Sequence, residues 1–66
     1  MRVETEREDD GRWIAEIPEL PGTMVYGADR EKAIQAVEAL ALRILADRLE
    51  HDEEVPDLGA VFAVMA

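Results

Sequence analysis

The chain has 66 residues, and its 16 acidic and 7 basic side chains give a formal net charge of −9. This charge repels nucleic-acid phosphates and anionic lipids and attracts basic surfaces, so direct binding to nucleic acid or to a membrane surface is disfavoured. No uncharged stretch approaches the ~18 residues of a membrane span, and no signal-peptide pattern opens the sequence. We therefore expect a cytoplasmic protein.

A core of this size only roughly balances the conformational entropy lost on folding, so an additional source of stability is expected. The chain has no Cys and a single His, His51, which excludes disulfides and the familiar Cys/His metal sites. Self-association remains, and we expect a homo-oligomer. The absence of Cys, Asn and Ser, with Arg preferred to Lys, also favours a thermophilic source.

The first part of the sequence predicts a β-hairpin followed by a third strand. Residues 2–8 alternate with the period of a strand, residues 9–11 supply an Asp-Gly turn, and residues 12–17 return with apolar side chains on both faces. The return strand is therefore expected at the centre of a meander. Residues 18–22, Pro-Glu-Leu-Pro-Gly, predict a rigid bend, because proline has no backbone donor for a ladder. Residues 23–27 resume a short strand.

A long helix is predicted next. Asp29 is its expected N-cap, and its end is expected between Leu49 and His51, ahead of an acidic loop over residues 50–57. The predicted buried stripe consists of Ile34, Val37, Ala41, Ile44, Leu45 and Leu49, flanked by Ala33, Leu40 and Leu42.

The final run, residues 60–65, has neither alternation nor charge, which is typical of a strand buried on both faces. The predicted fold is α+β, in the order β-β-β-α-β. It comprises an antiparallel three-stranded meander, a C-terminal strand, and one long helix packed on one face. We expect a single domain over residues 1–66.

Candidate catalytic groups are few. His51 lies at a fraying helix end among charged residues, where a solvated side chain is the simpler interpretation, and the chain has no Ser or Cys nucleophile. A β-β-β-α-β order also begins the ribonuclease-H-like nucleases, which hold two metal ions between carboxylates. The only plausible ligands for such a site are Glu4, Glu6, Glu38 and Asp57.

Two nucleic-acid readings are less economical than ordinary structural ones. Arg2, Arg7 and Arg12 are interleaved with or followed by acids, as on a solvated sheet face. Trp13 and Tyr26 suggest a stacking platform for bases, yet Trp13 shares a face with apolar residues and is better explained as core. Tyr26 fits either core or an interface.

Residues 8–22, followed by Tyr26-Gly27 and by residues 30–33, resemble the N-terminal domain of HicB antitoxins. The features shared with that family are an acidic turn with Gly, an aromatic residue, a small residue, a Pro-x-Leu-Pro-Gly bend, a further Gly, and an acidic-Ala helix start. The resemblance implies a partial ribonuclease-H-like fold without nuclease activity. It also implies a partner resembling HicA, a small basic toxin that cleaves messenger RNA and whose active surface the antitoxin masks.

Many members of the family carry a C-terminal DNA-binding segment, which we do not expect here because the sequence ends directly after the last predicted strand. The leading hypothesis is a non-catalytic antitoxin without catalytic residues, metal or cofactor. The alternatives are a metal-dependent nuclease using Glu4, Glu38 and Asp57, and a self-associating domain without a toxin. Partner binding is predicted at Glu16, Pro18, Glu19, Leu20 and Tyr26. Self-association is predicted at Val61, Phe62 and Val64.

Overall fold

The computed structural model describes residues 1–55 and 63–65. The secondary-structure elements are strands β1 (Arg2–Arg7), β2 (Trp13–Glu16) and β3 (Met24–Gly27), helix α1 (Arg30–Glu50) and strand β4 (Ala63–Val64). Within the described residues, the strands form one sheet in the order β3-β2-β1-β4, with α1 packed against it. The predicted α+β architecture, element order and antiparallel meander are confirmed, and β2 is the central strand of that meander.

The turn between β1 and β2 forms at the predicted place. Gly11 has a φ of +91°, a value that L side chains rarely adopt. The amide of Glu8 donates to the carbonyl of Arg12 at 2.7 Å. The Asp10 carboxylate accepts from the backbone amide of Arg12 at 3.1 Å and from its Nε at 2.7 Å. The acidic turn is therefore closed by its own side chains, which aligns the two strands.

The segment between β2 and β3, residues 18–22, is called the bend below. The amide of Leu20 donates to the carbonyl of Ile17 at 3.0 Å, and the amide of Thr23 donates to the carbonyl of Leu20 at 3.2 Å. The buried hydroxyl of Thr23 donates to the same two carbonyls. Leu20 is fully buried in the core. The bend thus directs Leu20 into the core, while its other residues stay exposed.

Helix α1 begins and ends where the sequence predicts. The Asp29 carboxylate accepts from the amide of Lys32 at 2.8 Å, which satisfies one of the free donors of the first turn. Glu31 in the first turn and Arg48 in the last complement the helix dipole. The helix ends at Glu50, with His51 as its C-cap.

The buried side of α1 is narrower than the predicted stripe. The core consists of Val3, Ala15, Ile17, Leu20, Ala33, Val37, Ala41 and Leu45. Leu42 and Leu49 are about half exposed, so including them was wrong. A helix of this length extends ~31 Å, whereas a four-residue strand extends only ~13 Å. The end of the helix therefore has too little sheet beneath it to bury Leu49.

Gly27 sets the approach of α1 to the sheet. A Cβ at this position would lie 2.4 Å from the backbone nitrogen of Ala33 and 2.7 Å from its Cα. Real Cβ atoms do not come so close to backbone atoms, so any larger residue must push the helix start away from β3. The absence of a side chain at Gly27 thus allows the tight packing of α1 on β3.

Strand β4 runs parallel to β1, with Val64 beside Val3. The amide of Met65 donates to the carbonyl of Val3 at 3.1 Å. Arg30 donates from Nη2 to the carbonyl of Met65 at 2.6 Å and from Nε to Oγ1 of Thr5 at 3.2 Å. The first residue of α1 therefore fixes both of these strands.

The predicted last strand over residues 60–65 agrees with β4 where the chain is described, and residues 60–62 lie outside the described residues. Its predicted burial on both faces is wrong for the described part, since Val64 and Met65 are nearly half exposed. The reason is topological: β4 lies at an edge of the sheet, and no described residue covers its outer side.

Candidate protein-binding face

The two faces of the sheet differ in chemistry because successive side chains of a strand point to opposite sides. Val3, Ala15 and Ile17 face α1 and are buried, and Trp13 packs half-buried beside them. The opposite side, called the outer sheet face below, carries two cross-strand rows: Glu4–Glu16–Met24 and Glu6–Ile14–Tyr26. No other described residue forms a layer over it. Carboxylates thus lie towards β1 and apolar side chains towards β3.

The apolar part of the outer sheet face is exposed to solvent. Met24 is 54% exposed and Tyr26 is 49% exposed, although both lie within a strand. Ile14 lies between the acidic and apolar parts and borders a small depression together with Glu4, Glu6 and Glu16. Large apolar side chains beside charges on an uncovered sheet are characteristic of a protein-binding surface.

The acidic part of the face contains an unfavourable pair. Glu4 lies directly opposite Glu16, and like charges in that position destabilise an antiparallel pair. Arg2 partly compensates, since its Nη1 lies 3.6 Å from Oε2 of Glu4. Glu16 has no such ion pair among the described residues. A basic side chain from a partner would therefore relieve repulsion that the isolated chain retains.

Tyr26 is held by its surroundings. The guanidinium carbon of Arg12 lies 4.5 Å from the centroid of the Tyr26 ring, and Nε of Arg12 contacts Asp10 at 2.7 Å. The hydrogen bond from the Arg12 amide lowers the pKa of Asp10, so this carboxylate stays charged to more acidic pH. The turn thus places a cation over the aromatic ring and restricts its motion.

The predicted partner-binding residues divide into three groups in the structure. Glu16 and Tyr26 lie on the outer sheet face, and Pro18 and Glu19 are exposed on the bend. Leu20 is fully buried and contributes no surface, so its inclusion was wrong. The physical reason is that the hydrogen bonds of the bend turn Leu20 towards the core, where an apolar side chain is more stable.

Glu19 has a structural contact of its own. Its carboxylate accepts from the backbone amide of Arg2 at 3.0 Å and lies 3.7 Å from Nε of Arg2. The hydrogen bond from that amide lowers the pKa of Glu19 below its usual value. A shallow groove runs from Pro18 and Pro21 to Met24, which makes the surface of the bend continuous with the outer sheet face.

Of the carboxylates proposed for a nuclease, the two that the structure describes, Glu4 and Glu38, are not brought together. Glu4 lies on the outer sheet face, whereas Glu38 belongs to α1 on the other side of the sheet, and Asp57 lies outside the described residues. Among residues 1–55 and 63–65, no group of three His, Asp or Glu side chains is arranged to hold a metal ion. His51 is exposed, with Nδ1 at 2.7 Å from the carbonyl of Asp47.

No family model, curated protein or solved structure matches this chain. In the part of the chain that the structure describes, no helix has the length and apolar character needed to cross a membrane.

Of the predicted self-association residues, Val64 is 47% exposed at the edge of the sheet, and Val61 and Phe62 lie outside the described residues.

Sequence reasoning missed the participation of Ile14 and Met24 in one face with Glu4 and Glu6. The signal that links them is the register of the two hairpins. Counting back from the Asp-Gly turn pairs Glu6 with Ile14, and the same count across the bend pairs Ile14 with Tyr26. The alternation of side chains along each strand was visible in the sequence. The turn lengths, which decide which residues of neighbouring strands lie side by side in rows, were not.

Proposed function

We propose that this chain is a non-catalytic protein-binding module of the HicB-like antitoxin type, whose outer sheet face binds a small basic, HicA-like toxin in the cytoplasm. The observation that supports this most strongly is the outer sheet face itself. Three carboxylates adjoin three apolar side chains there, with no described layer above them. An acidic area beside an apolar one complements a basic protein that also has apolar side chains at its surface.

Charge and shape contribute separately to such binding. The net charge of −9 attracts a basic protein over a Debye length and orients it, which raises the association rate. Tyr26 supplies an anchor that Arg12 already holds in place, so little side-chain entropy remains to be lost on binding. The repulsion between Glu4 and Glu16 falls when a partner's basic side chain lies between them.

The proposed action is masking. A toxin covered over its RNA-binding surface is inhibited without any chemical step by the antitoxin. This role accords with the resemblance of residues 8–22 to the HicB domain, and it requires no metal or cofactor. The bend contributes through its exposed Pro18 and Glu19 at one end of the face.

The test compares two triple variants with equal charge changes. Glu4→Gln/Glu6→Gln/Glu16→Gln alters the outer sheet face. Glu50→Gln/Glu53→Gln/Glu54→Gln alters exposed carboxylates at the end of α1 and just after it. The probe is the basic protein encoded by the adjacent reading frame, measured by calorimetry and by protection of RNA from cleavage. We expect the first variant to bind at least ~10-fold more weakly, since a hydrogen bond to a charged group contributes about 1.5–3 kcal/mol.

The second variant should lose only the general attraction, a smaller effect that added salt abolishes. Equal losses in both variants would show that the face is not specific. Unchanged binding and protection in the first variant would remove the outer sheet face from the proposal. An adjacent frame that encodes no basic protein would contradict the toxin–antitoxin assignment.

A further inference from the structure

The free edge of β3 is a second surface, which borders the outer sheet face and shares Met24 and Tyr26 with it. In the sheet order β3-β2-β1-β4, β3 has β2 on one side, and none of the described residues pairs with its other side. Strand edges carry unpaired backbone donors and acceptors, which other strands bind readily.

Hydrogen-bonded and non-hydrogen-bonded pairs alternate along the ladder, and this alternation identifies which backbone groups of β3 face outward. The amide of Ile17 donates to the carbonyl of Thr23 at 3.1 Å, so these two residues form a hydrogen-bonded pair across β2 and β3. In an antiparallel ladder such pairs alternate, which directs the groups of Val25 and Gly27 towards β2 as well. The amides and carbonyls of Met24 and Tyr26 therefore point away from the sheet.

The ladder between β1 and β2 gives the same phase independently. The amide of Glu8 donates to the carbonyl of Arg12 at 2.7 Å. Even-numbered residues of β2 thus bond to β1, which leaves odd-numbered residues to bond to β3, in agreement with the pair formed by Ile17. Two outward residues, Met24 and Tyr26, offer two donors and two acceptors on one edge.

This edge is short, but it lacks the side-chain and backbone features that usually prevent pairing. Natural edge strands are blocked by charged side chains, prolines or bulges, and β3 has none of these within Met24–Gly27. The eight residues from 20 to 27 are all uncharged, in a chain that is 35% charged overall. The repulsion between two acidic copies is smallest where their surfaces carry no charge, and this edge meets that condition.

We propose that a second copy of this chain pairs antiparallel with the free edge of β3, about a two-fold axis at Val25. In this register Met24 of one copy lies opposite Tyr26 of the other, and the outward groups form four backbone hydrogen bonds. The two sheets become one continuous sheet. Because two-fold symmetry is closed, each copy uses this edge once, and the product is a dimer rather than a fibre.

The side chains favour the same register. Met24 and Tyr26 both lie on the outer side of the sheet, so pairing places the thioether of one copy beside the aromatic ring of the other. Contacts between methionine sulfur and an aromatic ring are favourable. Pairing uses the backbone edge and leaves Glu4, Glu6 and Glu16 of both copies accessible, so the dimer does not depend on the proposed toxin.

The described part of the other edge, residues 63–65, offers fewer outward backbone groups. The amide of Met65 donates to the carbonyl of Val3, so the backbone groups of Met65 face β1. Because the direction alternates along a strand, Val64 is the residue of 63–65 whose backbone groups face outward. The carbonyl of Met65 is occupied by Arg30. The described part of that edge thus offers one residue where β3 offers two, and we assign the first self-association contact to β3.

The experiment uses sedimentation equilibrium of the full chain from ~1 µM to ~1 mM, a range that covers weak interfaces of small area. Met24→Pro is the central variant, because the amide of Met24 has no partner among the described residues and proline is tolerated where an edge N–H faces solvent. We expect wild type to dimerise and Met24→Pro to remain monomeric over the whole range, with an unchanged circular dichroism spectrum.

Met24→Lys tests the same edge without altering the backbone, and Leu42→Lys is its matched control, since the wild-type side chains are 54% and 53% exposed. The dimer of Met24→Lys should be weaker, with a dissociation constant ~10-fold or more higher than that of wild type, while Leu42→Lys and Val64→Lys should behave as wild type. A wild-type chain that stays monomeric, or a dimer weakened by Val64→Lys and not by Met24→Lys, would overturn the proposal.

Salt separates this dimer from binding to a basic partner. Two copies of charge −9 repel one another, so screening should strengthen the dimer. The same screening should weaken the complex with a basic protein. If the wild-type chain binds the toxin but forms no dimers, the pairing at β3 is refuted and the toxin proposal is not. If it forms dimers but does not bind the toxin, the toxin proposal is refuted and the pairing at β3 is not. A dimer that weakens as salt is added would contradict pairing through an uncharged edge.

Discussion

The inner and outer faces of the sheet differ in how far their side chains are exposed to solvent. The inner face buries Val3, Ala15 and Ile17 against α1, whereas the outer sheet face exposes Met24 and Tyr26 beside carboxylates. Both sets of residues alternate along the same short strands. Side chains of the core and side chains of the proposed binding face therefore alternate along the strands, and a substitution should affect stability or the proposed binding with little effect on the other.

The largest expected contrast is between Leu20 and Met24. Leu20→Ala should lower the free energy of unfolding by about 2–5 kcal/mol, because it removes a buried side chain and leaves a cavity. Met24→Ala, on the exposed side, should change it by less than ~0.5 kcal/mol. Urea denaturation monitored by Trp13 fluorescence measures both. Similar values for the two variants would show that the bend does not contribute to the core.

Gly27→Ala should produce the next largest effect on the inner side. The new Cβ would meet the backbone of Ala33, so α1 must shift, and overpacking of this kind costs about 1–3 kcal/mol. Gly22→Ala is the comparison, since its new Cβ would contact nothing within 4 Å and its cost arises from the φ of +88°. Thermal unfolding should show a loss for both. Only Gly27→Ala should alter the chemical shifts of the first turn of α1.

The smallest expected effect concerns Glu19, at the end of the bend. Its pKa is lowered by the hydrogen bond from the Arg2 amide, so its ionised form is favoured in the folded state. The resulting stability is complete above the unfolded-state pKa and is lost as the pH falls through the lower folded-state pKa. Glu19→Gln should therefore flatten the decline of melting temperature in acid. A decline as steep as that of wild type would mean that the Arg2 contact does not form in solution.

The parts of the fold that local signals define were predictable. Asp-Gly at residues 10–11 marked the hairpin, Asp29 marked the N-cap, and Pro56 with the preceding acids marked the end of α1. Each depends on a few neighbouring residues with a specific conformational preference. The β-β-β-α-β order follows from these signals.

The features that depend on contacts between distant segments were not predictable in the same way. The two prolines of the bend suggested an exposed recognition loop. In the structure, the hydroxyl of Thr23 donates to the carbonyls of Ile17 and Leu20, and Leu20 is turned inward. Periodicity placed Leu49 on the buried stripe, but the length of the strands beneath decides its exposure. The rows of the outer sheet face also require the register, which no single segment encodes.

The parallel pairing of β4 with β1 has a consequence for the order of folding. It joins Arg2 to Ala63, whereas every described core side chain lies between Val3 and Leu45. During synthesis, the meander and most of α1 are complete before β4 leaves the ribosome, and contacts between close segments form fastest. One edge of β1 is therefore unpaired until β4 binds. Arg30 is already in position to donate to the carbonyl of Met65. In refolding, the fluorescence of Trp13 should reach its native value before β4 docks.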